Sequence, residues 1–378
     1  MSNDYLEATD QFLDRLSASA HVHESSGSID AGLLADLRRE GLLGLVTPAA
    51  YGGRETDFST LFEVIARMAH SCISTSWVVA VGNVHNWMVS AFSSAAQDEY
   101  FANPDVFSSA SFAPTGTADM TTDGFIINGT WSFLSGVDHA QWVFLSGLVK
   151  ESIDERPTGP WFMMIPIDAV TVDHQSWDVA GMSGTGSKDV ILDNVEVPMH
   201  RAAFLPQLMA NQGPGVGLHT NKLFTAPYQA ALVAILAAPI YGASVGALEA
   251  FRTYTMNRVI KMTGGKQSNQ AASQITLSEC AADIDTAGLI LRSIFDLIDN
   301  QRPLAPGEAL KIPRDTAYAV RLINKAVNTI IANAGGNSAK LDNPLQRIWR
   351  DVQVASNHAA LNWWNAAQAW GEGALKHR

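Results

Sequence analysis

The chain has 378 residues, 47% hydrophobic and 16% charged, so it is too apolar to be disordered and long enough for two or three domains with large cores. Its 25 basic and 37 acidic side chains give a formal charge of −12, which argues against an electrostatic footprint for nucleic acid or anionic lipid. Cys72 and Cys280 have no CxxC partner or clustered histidines, so neither a disulfide framework nor a metal site is expected. Residues 1–16 carry Asp4, Glu7, Asp10 and Asp14 where an export signal needs a basic head and an apolar run, and a cytoplasmic location is expected.

Residues 5–100 have a helical pattern. Leu33-Leu34, Leu37 and Leu42-Leu43 keep helical spacing up to Gly41 and Gly44, and further helices are predicted over 59–70 and 74–91. Between 107 and 204 the period changes to two. Phe125-Ile126-Ile127 runs into Asn128-Gly129, read as a hairpin turn, and then into Thr130-Trp131-Ser132-Phe133-Leu134-Ser135 and Trp142-Val143-Phe144-Leu145-Ser146. These short strands with Gly and Pro punctuation predict a β middle domain and disfavour a Rossmann fold. The uncharged stretch 224–248 contains Pro227, Tyr228, Gln229 and Pro239, which suits a buried bundle helix better than a membrane span. Helical stretches over 277–300, 316–333 and 344–369 complete a bundle, so the fold class is mainly α with a β middle domain.

Generic motifs are mostly absent. Gly184-Thr185-Gly186-Ser187-Lys188 has the wrong order for a phosphate loop, and Gly213-Pro214-Gly215-Val216-Gly217 lacks both the third glycine and the βαβ context of a dinucleotide site. His21-Val22-His23 near the terminus reads as ordinary surface histidines.

Three longer motifs carry a resemblance. Leu42-Leu43-Gly44-Leu45-Val46-Thr47-Pro48-Ala49-Ala50-Tyr51-Gly52-Gly53 resembles the N-terminal signature of the acyl-CoA dehydrogenase superfamily. Gly181-Met182-Ser183-Gly184-Thr185-Gly186-Ser187-Lys188-Asp189 with Asp193-Asn194-Val195-Glu196-Val197-Pro198 resembles its middle-domain loop and strand, and Gly335-Gly336 with Pro344-Leu345-Gln346-Arg347 and Arg350-Asp351 its C-terminal helices. The resemblance implies an N-terminal helical domain (1–104), a β-barrel-like domain (105–206) and a C-terminal four-helix bundle (207–378), assembled as a homotetramer.

A dehydrogenase of this superfamily needs a carboxylate to abstract a proton α to a thioester carbonyl. Neither the residues following Asp351, 352–361, nor the segment 202–248 contain an acid, and His358 stands in that C-terminal region instead. The run Gln346-Arg347-Ile348-Trp349-Arg350-Asp351 then Ser356-Asn357-His358 is similar to the flavin-dependent monooxygenases of the superfamily, the oxygenase components of two-component aromatic hydroxylases. Trp131-Ser132-Phe133-Leu134-Ser135-Gly136 resembles their strand with a serine beside flavin N5, and Val84-His85-Asn86-Trp87 their substrate-pocket helix.

The resemblance implies reduced FAD or FMN, O2 as cosubstrate, a separate NAD(P)H:flavin reductase and a small aromatic or heteroaromatic substrate, oxygenated through a flavin C4a-hydroperoxide; N- or S-oxygenation is the alternative. In a regular strand Trp131, Phe133 and Ser135 share one face, which makes an aromatic wall ending in a hydroxyl. Ser135 is expected to bond flavin N5 and slow peroxide elimination, His358 to deprotonate the substrate or bond the hydroperoxide, and His85 to orient the substrate. Ser187, Arg258, Gly335 and Gly336 are the further cofactor-binding expectations, with Arg258 on the flavin phosphate. Ser111, Trp87, Phe112 and Phe224 are expected to line the pocket, and Asp351 to pair with Arg347 one turn back.

Overall fold

The computed structural model describes residues 2–260, 264–300 and 304–376. Six helices lead the chain: α1 (Ser2–Asp10), α2 (Leu13–Ser26), α3 (Ala31–Arg39), α4 (Phe58–Ser71), α5 (Ile73–Val89) and α6 (Ser94–Tyr100). Asp30 and Asp57 start α3 and α4 by accepting the amides of Leu33 and Thr60, as N-cap residues do. Every residue of α5 is buried, so this helix is enclosed by other elements and brings the polar side chains Asn83, His85 and Asn86 into the interior.

Strands β1 (Ser108–Met120), β2 (Gly124–Leu134), β3 (Trp142–Val149), β4 (Gly159–Pro166), β5 (Thr171–Asp173), β6 (Lys188–Pro198) and β7 (Ala202–Phe204) form one sheet in the order β5-β6-β2-β1-β3-β4-β7. Neighbours are antiparallel except β1 and β3, which are parallel. The sheet curls on itself. Phe125 of β2 and Trp161 of β4 have two strands, β1 and β3, between them in the order, yet their ring centroids are 4.9 Å apart. Alternation sets the two faces of β3: Val143 and Leu145 enter the sheet's own core, while Phe144 packs on Phe92 and joins the helical core.

Asn128-Gly129 is not a turn. β2 runs through it, and its register against β6 shifts between Ile127 and Gly129, where Gly129 takes φ +148°. A bulge exploits the same glycine freedom as a hairpin turn, which is why the dipeptide misleads. The chain reverses instead between Thr121 and Gly124, whose backbone groups are bonded.

The C-terminal part comprises α7 (Leu205–Met209), α8 (Tyr228–Ala234), α9 (Ala237–Asn257), α10 (Ala271–Asp299), α11 (Pro306–Asn333), α12 (Pro344–Ser356) and α13 (Trp363–Lys376). Helices α9 to α12 pack as a four-helix bundle with α13 along α11, and α4 lies against α9 so that one apolar core joins bundle and N-terminal helices. Residues Tyr228–Asn257 are long and apolar enough to cross a bilayer, but 78% of the most apolar window is buried inside the protein. The helix expected over 344–369 breaks after Ser356. Asn357 and His358 leave helical geometry, and Asn362 then accepts the Asn365 amide to start α13.

Candidate active site

The end of β2 departs from strand alternation. Register against β6 shifts between Trp131 and Leu134, and Phe133 takes φ +69°, a left-handed conformation that costs a bulky residue about 1–3 kcal/mol. This turn puts Leu134 in the sheet core beside Trp131, which is 0% exposed and donates its Nε1 hydrogen to the Ser146 carbonyl. Trp131 therefore offers no face to a ligand, which corrects the wall expected from Trp131, Phe133 and Ser135. Phe133 alone turns outward, 70% exposed, with Trp177 edge-on at 6.1 Å. An open aromatic surface thus exists, built from Phe133 and Trp177.

Ser135 follows on half-buried backbone. Its carbonyl accepts the Ser109 hydroxyl at 2.7 Å, and its hydroxyl meets Trp77 Nε1 at 3.1 Å and Ser187 Oγ at 2.8 Å. Ser187 in turn meets Thr185 Oγ1 at 2.7 Å, within the loop that precedes β6. Trp77 also faces His358, with ring centroids 6.0 Å apart. Ser135 and His358, far apart in the chain, are thus joined by an indole from α5.

His358 is not on a helix face. It caps a short turn, and its Nδ1 accepts the Ala360 amide at 3.2 Å. With Nδ1 committed as acceptor, the neutral ring carries its hydrogen on Nε2. Its outer surface stays open, yet the protein around the ring strips water from it and pulls the pKa below the ordinary 6.5. His85 has the opposite tautomer. Its Nδ1 donates to the Ser108 carbonyl at 2.9 Å, which leaves a lone pair on Nε2, and burial pushes its pKa down to about 4. Ser108 and Ser109, adjacent on β1, therefore tie His85 and Ser135 to one strand.

The remaining expected residues separate into groups. Ser111 is half-buried on β1 opposite Leu145, and Phe112 stacks on Phe162 at 4.5 Å. Phe224 lies 4.8 Å from His219, which meets Gln97. Trp87 is 2% exposed, packs on Phe58 and Tyr228 and donates to the Leu223 carbonyl, so it is core rather than pocket wall. Arg258 lies over Tyr254, bonds the Ala334 carbonyl, and packs so closely on Gly335 that a Cβ there would come 2.6 Å from its Nη1. Gly336 is open. Asp351 accepts the Met182 amide at 2.6 Å in place of the expected Arg347 pair, and burial raises its pKa to about 6. His23 is buried, not superficial: its Nε2 accepts the Asp30 amide.

Sequence reasoning missed Trp77, Ser109, Thr185 and Asp351 as parts of this network. Their partners lie from two to 169 residues away, so local pattern reports little of them. The serine run Ser108-Ser109-Ser111 on a strand was the one visible signal.

The acyl-CoA dehydrogenase N-terminal domain matches residues 3–104, and the acyl-CoA dehydrogenase C-terminal domain matches residues 234–363. The oxygenase component of the FADH(2)-dependent resorcinol hydroxylase of Rhizobium sp. is 29% identical over 93% of this chain and 88% of its own length. The flavin-dependent monooxygenase oxygenase subunit HsaA of Mycobacterium tuberculosis is 30% identical over 94% of this chain and 91% of its own. Among solved structures, XiaF from Streptomyces sp. in complex with FADH2 and glycerol superposes with a TM-score of 0.91 at 28% identity, covering 100% of this chain and 96% of that one.

Proposed function

Because the chain belongs to the flavin-dependent monooxygenases of the acyl-CoA dehydrogenase family, we propose that it hydroxylates a phenol- or indole-like ring held between His85 and the Ser135–Trp77–His358 network. The observation that carries this reading is a pair of imidazoles with opposite tautomers: His85 has a lone pair at Nε2 and His358, beside Trp77, has an N–H there. A phenol O–H or indole N–H finds its acceptor in His85, while His358 donates to oxygen on the other side. His85 does not have to change charge near neutral pH, because burial holds its pKa at about 4.

The residues present fit a flavin. Phe133 and Trp177 supply an open aromatic surface, the half-buried Ser135 lies two residues beyond, and Arg258, packed on Gly335 with Gly336 open beside it, offers a cation for a phosphate. When bound in reduced form, flavin supplies the two electrons that let one oxygen atom of O2 enter a C–H bond and the other leave as water. The protein's part is to hold the ring, keep water away and fix the hydrogen bonds around Ser135. A separate NAD(P)H:flavin reductase delivers the reduced flavin, and the working form is a homotetramer in the cytoplasm.

Acyl-CoA dehydrogenation finds no support. Residues 202–248 contain no acid, and the buried Asp351 carboxylate is engaged by the Met182 amide. Purified protein with photoreduced FAD or FMN and oxygen should convert members of a phenol and indole panel to products heavier by one oxygen atom. Absence of product from every ring, together with anaerobic bleaching of bound flavin by an acyl-CoA, would overturn the proposal.

A further inference from the structure

The hydrogen bonds around Ser135 run in one direction, and they lead to a residue held by a carboxylate. Helix α12 clamps the start of the loop before β6 in two ways. Asp351 Oδ1 accepts the Met182 amide at 2.6 Å, and Gly181 lies so near the helix that a Cβ would come within 2.4 Å of the Arg350 carbonyl oxygen. Arg350 adds bonds to the Ala180 carbonyl and to Glu24. Met182 itself is held at φ +59°. The Met182 carbonyl can only accept, and it takes the Thr185 hydroxyl hydrogen at 2.7 Å. With that hydrogen spent, Thr185 Oγ1 accepts from Ser187 at 2.7 Å, and Ser187 accepts from Ser135 at 2.8 Å. Ser135 also accepts the Trp77 indole N–H, so one lone pair is all its hydroxyl has left.

We propose that Asp351 is a positioning residue: by holding the Met182 amide it fixes the relay from Ser135 through Ser187 and Thr185 to Met182, so that Ser135 meets the N5–H of reduced flavin purely as an acceptor. The inference rests on the flavin reading above. It also gives α12 a double task, since the chain leaving that helix carries His358 to the other side of Trp77. Reduced flavin bears a hydrogen on N5, and a serine free to rotate could offer it a competing hydrogen. The relay removes that option.

Three variants test this with two readouts, neither needing an organic substrate. The first is hydrogen exchange of the 181–187 segment in flavin-free protein; the second is hydrogen peroxide release from photoreduced FMN or FAD with oxygen. Asp351→Ala should speed exchange at Met182 and raise peroxide release about tenfold, the scale of one lost hydrogen bond to the reacting group. Asp351→Asn keeps an accepting Oδ1 and should stay within about twofold of the wild type in both. Thr185→Val should leave Met182 protected and still raise peroxide release about tenfold, since only the relay's direction is lost. Wild-type peroxide release in Asp351→Ala or Thr185→Val overturns the inference, as does an Asp351→Asn variant that behaves like the alanine. Should Asp351→Ala fail to fold, Asp351→Ser, whose shorter side chain gives up the Met182 amide, takes its place with the same expected and overturning outcomes. A wild-type protein that releases peroxide at the free-flavin rate removes the flavin reading itself, and the inference falls with it.

Discussion

His85→Asn isolates the most strongly perturbed histidine of the site. The asparagine Nδ2 sits where Nδ1 does, so the bond to the Ser108 carbonyl survives while the titrating ring is gone. In the unfolded chain His85 protonates near the ordinary 6.5, whereas burial holds it at about 4 in the folded protein. The proton therefore binds the unfolded state more tightly, and stability falls as pH falls through that window. At about 1.4 kcal/mol for each pH unit, the gap corresponds to about 3 kcal/mol, fully present above pH 6.5 and gone by about pH 4. Chemical denaturation at pH 7 and pH 4.5, at one fixed protein concentration, should show the wild type losing about 2.5 kcal/mol more than His85→Asn. His23, His139, His219 and His358, also shifted down by burial, remain in both proteins and cancel. Equal losses in the two proteins would refute the neutral, buried His85 on which the substrate geometry depends.

Trp77→Phe keeps the ring against His358 but removes the N–H that fills one Ser135 lone pair. It should raise peroxide release about fivefold with little change in folding, checked by a peroxidase-coupled assay and thermal melting. Phe133→Asn puts a residue tolerant of left-handed backbone at φ +69° and should stabilise the protein by about 1 kcal/mol while weakening reduced-flavin binding, measured anaerobically by titration. His358→Ala should lose product yet still consume reduced flavin and release peroxide. His358→Gln, which retains an N–H donor, should recover part of the coupling; equal coupling in His358→Ala and the wild type would remove this side chain from the mechanism.

The helical periodicity of 59–70 and 74–91 was legible because a 3.6-residue apolar stripe is written locally, and α4 and α5 lie there. The β segments were equally plain from their period of two. Asn128-Gly129 was misread because one glycine conformation serves both a turn and a bulge, and only pairing with β6 distinguishes them. The break after Ser356 is hidden because the helical pattern runs on across it, and only the structure shows Asn362 capping a new helix. At the site, His85, Ser135 and His358 stood in motifs. The indole that joins two of them, and the carboxylate behind the loop, act across 58 and 169 residues, distances over which no sequence period operates. Phe133 shows the same limit from the other side, since strand alternation places it with Trp131 and a single left-handed residue separates them.

The most direct test is oxygen labelling. Wild-type protein is mixed with photoreduced flavin, a phenol or indole panel and 18O2, and the products are read by mass spectrometry. The account predicts a ring product carrying one labelled oxygen atom, with the second labelled atom recovered in water. Release of labelled hydrogen peroxide in full proportion to flavin oxidised, with every ring returned unlabelled, would contradict it.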